Sequence, residues 1–373
     1  MDFNLSEEQL MLRDGVERYI REDYGFEQRR HQATAGEGFS REHWQTFAEL
    51  GWLALTLPED VGGLDCSFVE AAVVLESFGR GMVLEPFISS VMLCARIVDR
   101  SGSDYHRKDL LPALVQGRML LAFADSESGS RFTLGCIDDT VARRAGDGYQ
   151  LDGLKTLVFD APSADKLLVT ARLDDYQHPA VFIVDRKAPG VEVIEYALVD
   201  GTRAADVRFN RVELETAALL IEPARSQPIL EEAFDRSALA VVAQSLGVMH
   251  GVMDMTAEYI KTRNQFGQPI GKFQALQHRM AEMFVEAQHA RSILFRGMAY
   301  LDKPVNERRR AVSAAKAATG KAGRFVCAQG VQLHGGIGMT EEYPVGHYFR
   351  FMTLLEKRFG DTDHHLARFA KGY

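Results

Sequence analysis

The segment Thr262-Arg263-Asn264-Gln265-Phe266-Gly267-Gln268-Pro269-Ile270-Gly271-Lys272-Phe273-Gln274 puts an arginine at the close of a helical pattern, with two glycines behind it. A guanidinium there offers a fixed fork of donors suited to a pyrophosphate. Gly267 and Gly271 let the backbone turn tightly afterwards. The plainer account is a helix end with a cation on its dipole and a glycine stop. A second segment, Val331-Gln332-Leu333-His334-Gly335-Gly336-Ile337-Gly338-Met339-Thr340-Glu341-Glu342-Tyr343-Pro344, is glycine-rich. Its glycines admit a cofactor or another backbone at close range, though alone it is only a glycine-rich loop. A third run, Asp361-x-Asp363-His364-His365, carries metal-type ligands. Adjacent histidines rarely ligate one ion, and no second ligand cluster stands at a recognised spacing. An aspartate capping a helix start explains Asp361 and Asp363 at least as well.

The elements that must position these residues fall into three stretches. Residues 1–118 read as helical. Ser6 and Gln9 form a capping-box start, followed by Leu10, Val16, Tyr19 and Ile20 at helical spacing. Further helices are expected over Ser40–Leu50 and Phe68–Ser77, with Pro58 and Gly62-Gly63 in a loop between them. Residues 119–224 carry short β-rich runs: Leu120–Ala124, Thr140–Arg143, Tyr149–Leu151, Lys166–Arg172, Ala180–Val184 and Val191–Ile194. Turns such as Gly146-Asp147-Gly148 separate them and no long helix intervenes, so an antiparallel β domain is expected. Residues 225–373 turn helical again. Helices are expected from Pro228 to Thr262, from near Lys272, and from Asn306 to Val331, with shorter ones after Pro344 and Asp361. The second should carry Phe273, Leu276, Met280, Met283, Phe284 and Ala287 on one face. The fold class is therefore α+β: an N-terminal helical domain, a central antiparallel β domain and a C-terminal four-helix bundle.

Composition narrows the function. The 373 residues carry a net charge of -9, which argues against nucleic acid or an anionic membrane as the main partner but leaves room for a local basic pocket. Four cysteines without a CxxC pair fit a reducing cytosol rather than a disulfide or metal framework. The acidic start lacks a signal pattern, and no apolar run reaches about 18 residues, so cytoplasmic location without membrane insertion is expected.

Together, the Arg263 and Gly335-Gly336 segments resemble the acyl-CoA dehydrogenase family, as does Leu50-Gly51-Trp52 with Leu57-Pro58-Glu59-Asp60-Val61-Gly62-Gly63. The resemblance covers essentially the whole chain. It implies FAD-dependent α,β-dehydrogenation of an acyl-CoA thioester: a carboxylate removes the α-proton while the β-hydrogen leaves as hydride to the flavin. It also implies an electron-transferring flavoprotein as acceptor. The base is usually a glutamate before a glycine, and that place is Phe359, before Gly360. Some members carry it on the first long bundle helix, where this chain has Ser237. Neither can serve as the base.

By the same resemblance each FAD lies between subunits. Bundle residues of a neighbour grip its pyrophosphate and adenosine, and that half is kept in Arg263, Phe266, Gln274, Gln332 and Gly336. The subunit's own half departs from the pattern. Ala124-Asp125-Ser126-Glu127-Ser128-Gly129-Ser130-Arg131 replaces a Thr-Glu-Pro-Gly-x-Gly-Ser-Asp strand end, and Leu157-Val158-Phe159 replaces aromatic-Ile-Thr. Asp361 and Asp363 stand for Thr and Gln, and with Asp125, Glu127 and Asp160 they are expected to repel an anionic cofactor. The resemblance thus implies a base-lacking subunit of an α2β2 heterotetramer that donates flavin contacts to a homologous catalytic subunit. One alternative is a homotetramer using Glu356, Asp361 or Asp235 as base. Glu356 would share the helix face of Phe359, whereas Asp235 stands at a family position that contacts CoA, and Ala238 replaces the arginine usual three residues after it. Another alternative is a purely structural subunit with no flavin contact.

Overall fold

Helix α1 (Glu7–Asp23) starts at a reciprocal cap: the Gln9 N–H donates to Ser6 Oγ at 3.2 Å and the Ser6 N–H to Gln9 Oε1 at 3.0 Å. Of its expected apolar face, Val16 is buried while Leu10 is exposed. The structure is a computed structural model that describes residues 4–34, 36–130, 132–174 and 176–371. Its residues gather into two units, one drawn from residues 1–31, 68–83 and 238–373, the other from 32–67 and 84–237. Short helices α2 (Phe26–Thr34) and α3 (Arg41–Glu49) follow, the latter capped by the Ser40 hydroxyl. Helix α4 (Phe68–Gly81) runs past the expected Ser77 because Phe78 is as apolar and buried as the turns before it. A buried π-helical stretch, Ile88–Ala95, leads into α5 (Arg96–Arg100) and α6 (Asp104–Val115).

The second unit holds an eight-stranded sheet of β1 (Leu121–Ala124), β2 (Val141–Ala145), β3 (Gly148–Phe159), β4 (Lys166–Leu173), β5 (Ala180–Asp185), β6 (Val191–Ala197), β7 (Arg203–Leu214) and β8 (Leu219–Ile221). The order is β6-β7-β3-β2-β4-β5-β8, with β1 beside β4. Leu151, Leu167, Val169, Phe182 and Val207 are at the centre of its core. The expected antiparallel pairing dominates this sheet, and β4 adds two parallel pairings, with β1 and β2. Strand β3 lies between β2 and β4 in the chain, and both β2 and β3 lie between β1 and β4, which gives each parallel pair the long crossover it needs. Strand β3 runs on to Phe159 through two register shifts. Strand β7 was not foreseen, because Asp206, Asn210 and Arg211 mask its alternation with residues typical of turns.

In the C-terminal stretch, α7 (Pro223–Thr262) starts earlier than the expected Pro228. Proline is well tolerated at a first helical position, where its missing N–H has no partner to lose. This helix holds the one 18-residue window, among the described residues, apolar enough to cross a membrane, and 83% of that window is buried inside the protein. Gly79 of α4 faces the backbone of α7, and Gly247 of α7 faces that of α4. A Cβ at either would overlap the other helix, so these helices cross at backbone distance. A hairpin of β9 (Asn264–Gln265) and β10 (Gln268–Pro269) precedes α8 (Gln274–Ala299) and α9 (Val305–His334). Helices α10 (Pro344–Lys357) and α11 (Thr362–Ala370) close the chain. Helices α7, α8 and α9 span 40, 26 and 30 residues. Of the apolar face expected on α8, Met283 and Ala287 are buried, while Phe284 is 57% exposed. Helical spacing groups side chains on a face without saying what covers them.

Candidate functional site

Arg263 closes α7, its N–H donating to Tyr259 O at 2.9 Å. The hairpin then turns through Phe266 (φ 52°) and Gly267 (φ 78°), both left-handed, as a two-residue hairpin turn of the primed type requires. Phe266 holds that conformation at a cost in strain, yet its ring is 91% exposed and meets Phe273 edge-on, centroids 6.1 Å apart. The exposed Arg263 guanidinium and the exposed carboxamides of Gln274 and Gln332 make no hydrogen bond or ion pair among the described residues. The Gly335 N–H closes α9 onto Gln332 O, and Gly335–Met339 form a tight turn that leaves Gly336 exposed.

The two segments meet through an aromatic contact. Tyr259, one turn before Arg263, stacks on His334, two residues after Gln332, with ring centroids 4.4 Å apart and planes 29° apart. The structure therefore brings Arg263 and Gln332 to one end of the helical unit. Unspent N–H donors, an exposed ring and a bare glycine backbone fit an anionic nucleotide cofactor such as FAD. Neither Tyr259 nor His334 was given a role from sequence; the signal was their helical offset from the two named segments.

At the Phe359 step, α10 ends at Lys357 and Phe359 sits off the helix at φ 57°. The expectation that Glu356 shares its face is corrected by this break. Glu356 is 3% exposed. It accepts the Thr362 N–H at 2.9 Å and pairs with Lys357 Nζ at 3.0 Å. Burial raises its pKa, but the Thr362 and Lys357 bonds outweigh it and hold the carboxyl below its ordinary range. Asp361 caps α11, accepting the His364 N–H at 2.9 Å, and lies 3.3 Å from Lys357 Nζ. Buried Lys316, unnoticed in the sequence, donates to the carbonyls of Leu355, Glu356 and Gly360 at 3.2, 2.9 and 2.9 Å. Burial pushes it down to about 7 against the pull of Glu356 and Asp361. His365 faces Phe359 O through Nε2 at 2.9 Å and Ser313 Oγ through Nδ1 at 3.3 Å. Asp361 and His365 are thus committed to holding the loop, and no group of three His, Cys, Asp or Glu among the described residues is placed to hold a metal ion. In the other unit, Ser237 is buried and donates to Ala233 O at 2.8 Å, and Asp235 is buried as well.

The acidic strand end of the second unit is not the repulsive surface expected from sequence. Lys155, fully buried on β3, donates to Glu127 Oε1 at 2.8 Å, Asp125 O at 3.1 Å and Thr170 Oγ1 at 3.2 Å. Glu127 also accepts the backbone N–H groups of Asp138, Asp139 and Thr140 at 2.8, 2.7 and 3.0 Å. Burial alone would raise Glu127, but these donors, led by Asp139 and then Lys155, bring it down to about 2. Asp125 accepts from Thr170 at 2.9 Å, and Asp160 accepts the Ser89 hydroxyl. Glu127 is paired with Lys155, and Asp125 and Asp160 each accept a hydroxyl within this unit. They do not fit a flavin as the bundle donors do. Leu157 is left-handed and half exposed beside them, and Arg131 lies outside the described residues. Lys155 was missed because a lysine in Leu154-Lys155-Thr156-Leu157 reads as a solvent-facing strand residue; its acidic partner is 28 positions away.

The element order is that of FAD-dependent oxidoreductases acting on acyl thioesters. Models of the N-terminal, middle and C-terminal domains of acyl-CoA dehydrogenase match residues 6–118, 122–215 and 228–373. The chain belongs to the acyl-CoA dehydrogenase family. It is 25% identical to the acryloyl-CoA reductase (NADH) of Anaerotignum propionicum, over 100% of this chain and 95% of that protein. Among solved structures, the ChsE4-ChsE5 complex from Mycobacterium tuberculosis superposes with a TM-score of 0.90 at 29% identity, covering 100% of this chain and 98% of the other. A variant of the Tcur3481-Tcur3483 steroid acyl-CoA dehydrogenase does so at 0.87 and 28%, covering 98% and 97%.

Proposed function

We propose that this chain is the base-lacking subunit of a heteromeric acyl-CoA dehydrogenase, lending flavin contacts to a homologous catalytic subunit. The observation that carries this reading is the asymmetry of spent and unspent donors. The exposed side chains of Arg263, Gln274 and Gln332 have no hydrogen bond or ion pair among the described residues, while Asp125, Glu127 and Lys155 are bonded within their own unit. Arg263 would pair with the pyrophosphate, Gln274 and Gln332 would donate to neighbouring oxygens, Phe266 would cover an apolar surface, and Gly336 would allow close approach. FAD supplies the hydride acceptor when bound, with an electron-transferring flavoprotein as the onward acceptor. The proton would be taken by the partner's carboxylate, since Phe359 and Ser237 cannot take it and Glu356 and Asp361 are tied into the α10–α11 loop.

The ChsE4-ChsE5 complex and the steroid enzyme support a heteromer acting on bulky acyl-CoA thioesters. Phe284 and Val285, 57% and 48% exposed on α8, supply apolar surface that a partner chain would cover. The test is to purify the chain alone and with its partner and compare flavin absorbance per chain. Little flavin alone, restored on assembly, is expected. A full complement of FAD with turnover in the isolated chain overturns the reading in favour of a homotetramer. Arg263→Ala separates donation from scaffolding: weaker FAD binding by the complex supports donation, and unchanged binding supports a structural subunit.

A further inference from the structure

We infer that His334 is a positioning residue that sets the two halves of the flavin-donor face at a fixed spacing. The inference rests on the donor reading above and adds to it the device that holds the donors together. Arg263 follows α7 and Gln332 ends α9, so their relative placement depends on whatever locks those two helix ends.

The lock is built around one imidazole. Its Nδ1 lies 2.7 Å from Gly330 O, and since a carbonyl only accepts, Nδ1 carries the hydrogen and donates. That bond fixes the ring against the last turn of α9. Tyr259 of α7 stacks on one side at 4.4 Å, and Tyr343, which precedes α10, packs at 5.1 Å. One ring therefore joins the ends of two long helices and the start of a third. With Nδ1 protonated, Nε2 is a bare lone pair. It is buried and has no hydrogen-bond partner among the described residues. Leaving such an atom unmatched costs stability, and a residue kept for folding alone would be better served by an apolar ring. What the imidazole combines is a flat stacking surface and a donor aimed back at its own helix, which together hold Gln332 and Gly336 in register with Arg263. Burial keeps it neutral, so no buried charge disturbs the stack.

The test uses the assembled complex stripped of flavin and titrated with FAD, following flavin fluorescence, beside thermal unfolding of each variant. His334→Asn keeps a donor but loses the plane, and Tyr259→Leu removes the facing ring. Each should weaken FAD binding roughly two- to tenfold, the range of one aromatic pair, and the double variant should be little worse than either alone. His334→Phe keeps the plane but loses the Nδ1–H donor to Gly330 O, so it too should weaken FAD binding. It also serves as the control if His334→Asn fails to fold. If Arg263→Ala weakens binding while His334→Asn and Tyr259→Leu lower only the unfolding temperature, the positioning role is wrong and the donor reading stands. His334→Phe holding FAD as tightly as wild type also overturns the role given to the imidazole donor. If Arg263→Ala leaves binding unchanged, both ideas fall together.

Discussion

Glu127 accepts three backbone N–H groups and the Lys155 ammonium, and that local fact has a pH signature. Its folded pKa of about 2 lies below its ordinary 4.5. The stabilisation is therefore complete above the unfolded value and is lost as pH falls from about 4.5 towards 2, about 3 kcal/mol in all. Urea unfolding of wild type and Glu127→Gln should show a gap that is widest near neutrality and narrows below pH 4.5; a constant gap would speak against the bonded carboxylate. Lys155→Met leaves a buried carboxylate without its cation and should cost ~3–5 kcal/mol by the same measurement. Phe266 makes the opposite case. An asparagine tolerates its left-handed backbone better, so Phe266→Asn should stabilise the hairpin by about 1 kcal/mol and weaken FAD binding by the complex. A variant that lost stability instead would show that the exposed ring is held by the chain itself.

At the level of elements, the α10–α11 connection is fixed by Lys316, which ties three carbonyls from the end of α10 to the Gly360 step. Removing the ammonium in Lys316→Met should free this loop before the helices. Hydrogen exchange at the Thr362 and His364 amides, held by Glu356 and Asp361, should quicken by roughly tenfold, with α8 unaffected. Uniform quickening would place Lys316 in the global core instead. The sequence was legible where local chemistry dictates structure: the Ser6–Gln9 cap, the Asp361 cap and the turn-bounded strands all form. It was silent where the deciding partner is distant in the chain. Lys155 and Lys316 look like surface lysines until β3 and α9 bring them to carboxylates and carbonyls elsewhere. The end of α10 at Lys357 was illegible for a related reason, since Leu355-Glu356-Lys357-Arg358 is good helix sequence and a left-handed Phe359 halts it. The donor residues were readable as a motif, but the Tyr259–His334 contact that unites them depends on how α7 and α9 meet.

For the whole molecule, the absent base and the closed strand end that we propose are separate features, and this can be tested. Phe359→Glu restores a carboxylate before Gly360, yet the chain alone should still neither retain FAD nor turn over acyl-CoA, because the strand end remains spent on Lys155. Dehydrogenation by that single variant without a partner would overturn the division of labour proposed for the two subunits. The net charge of -9 sharpens the same point: on an acidic protein, an exposed Arg263 with no ion pair among the described residues is a local exception suited to an anionic group. The self-saturated Lys155 cluster also bears on how the assembly is made in a cell. A subunit whose core is completed by a cofactor is stable only while that cofactor is supplied. If it is the donor subunit we propose, this chain, whose strand end is bonded by its own side chains, would fold without flavin and could accumulate ahead of a flavin-binding partner.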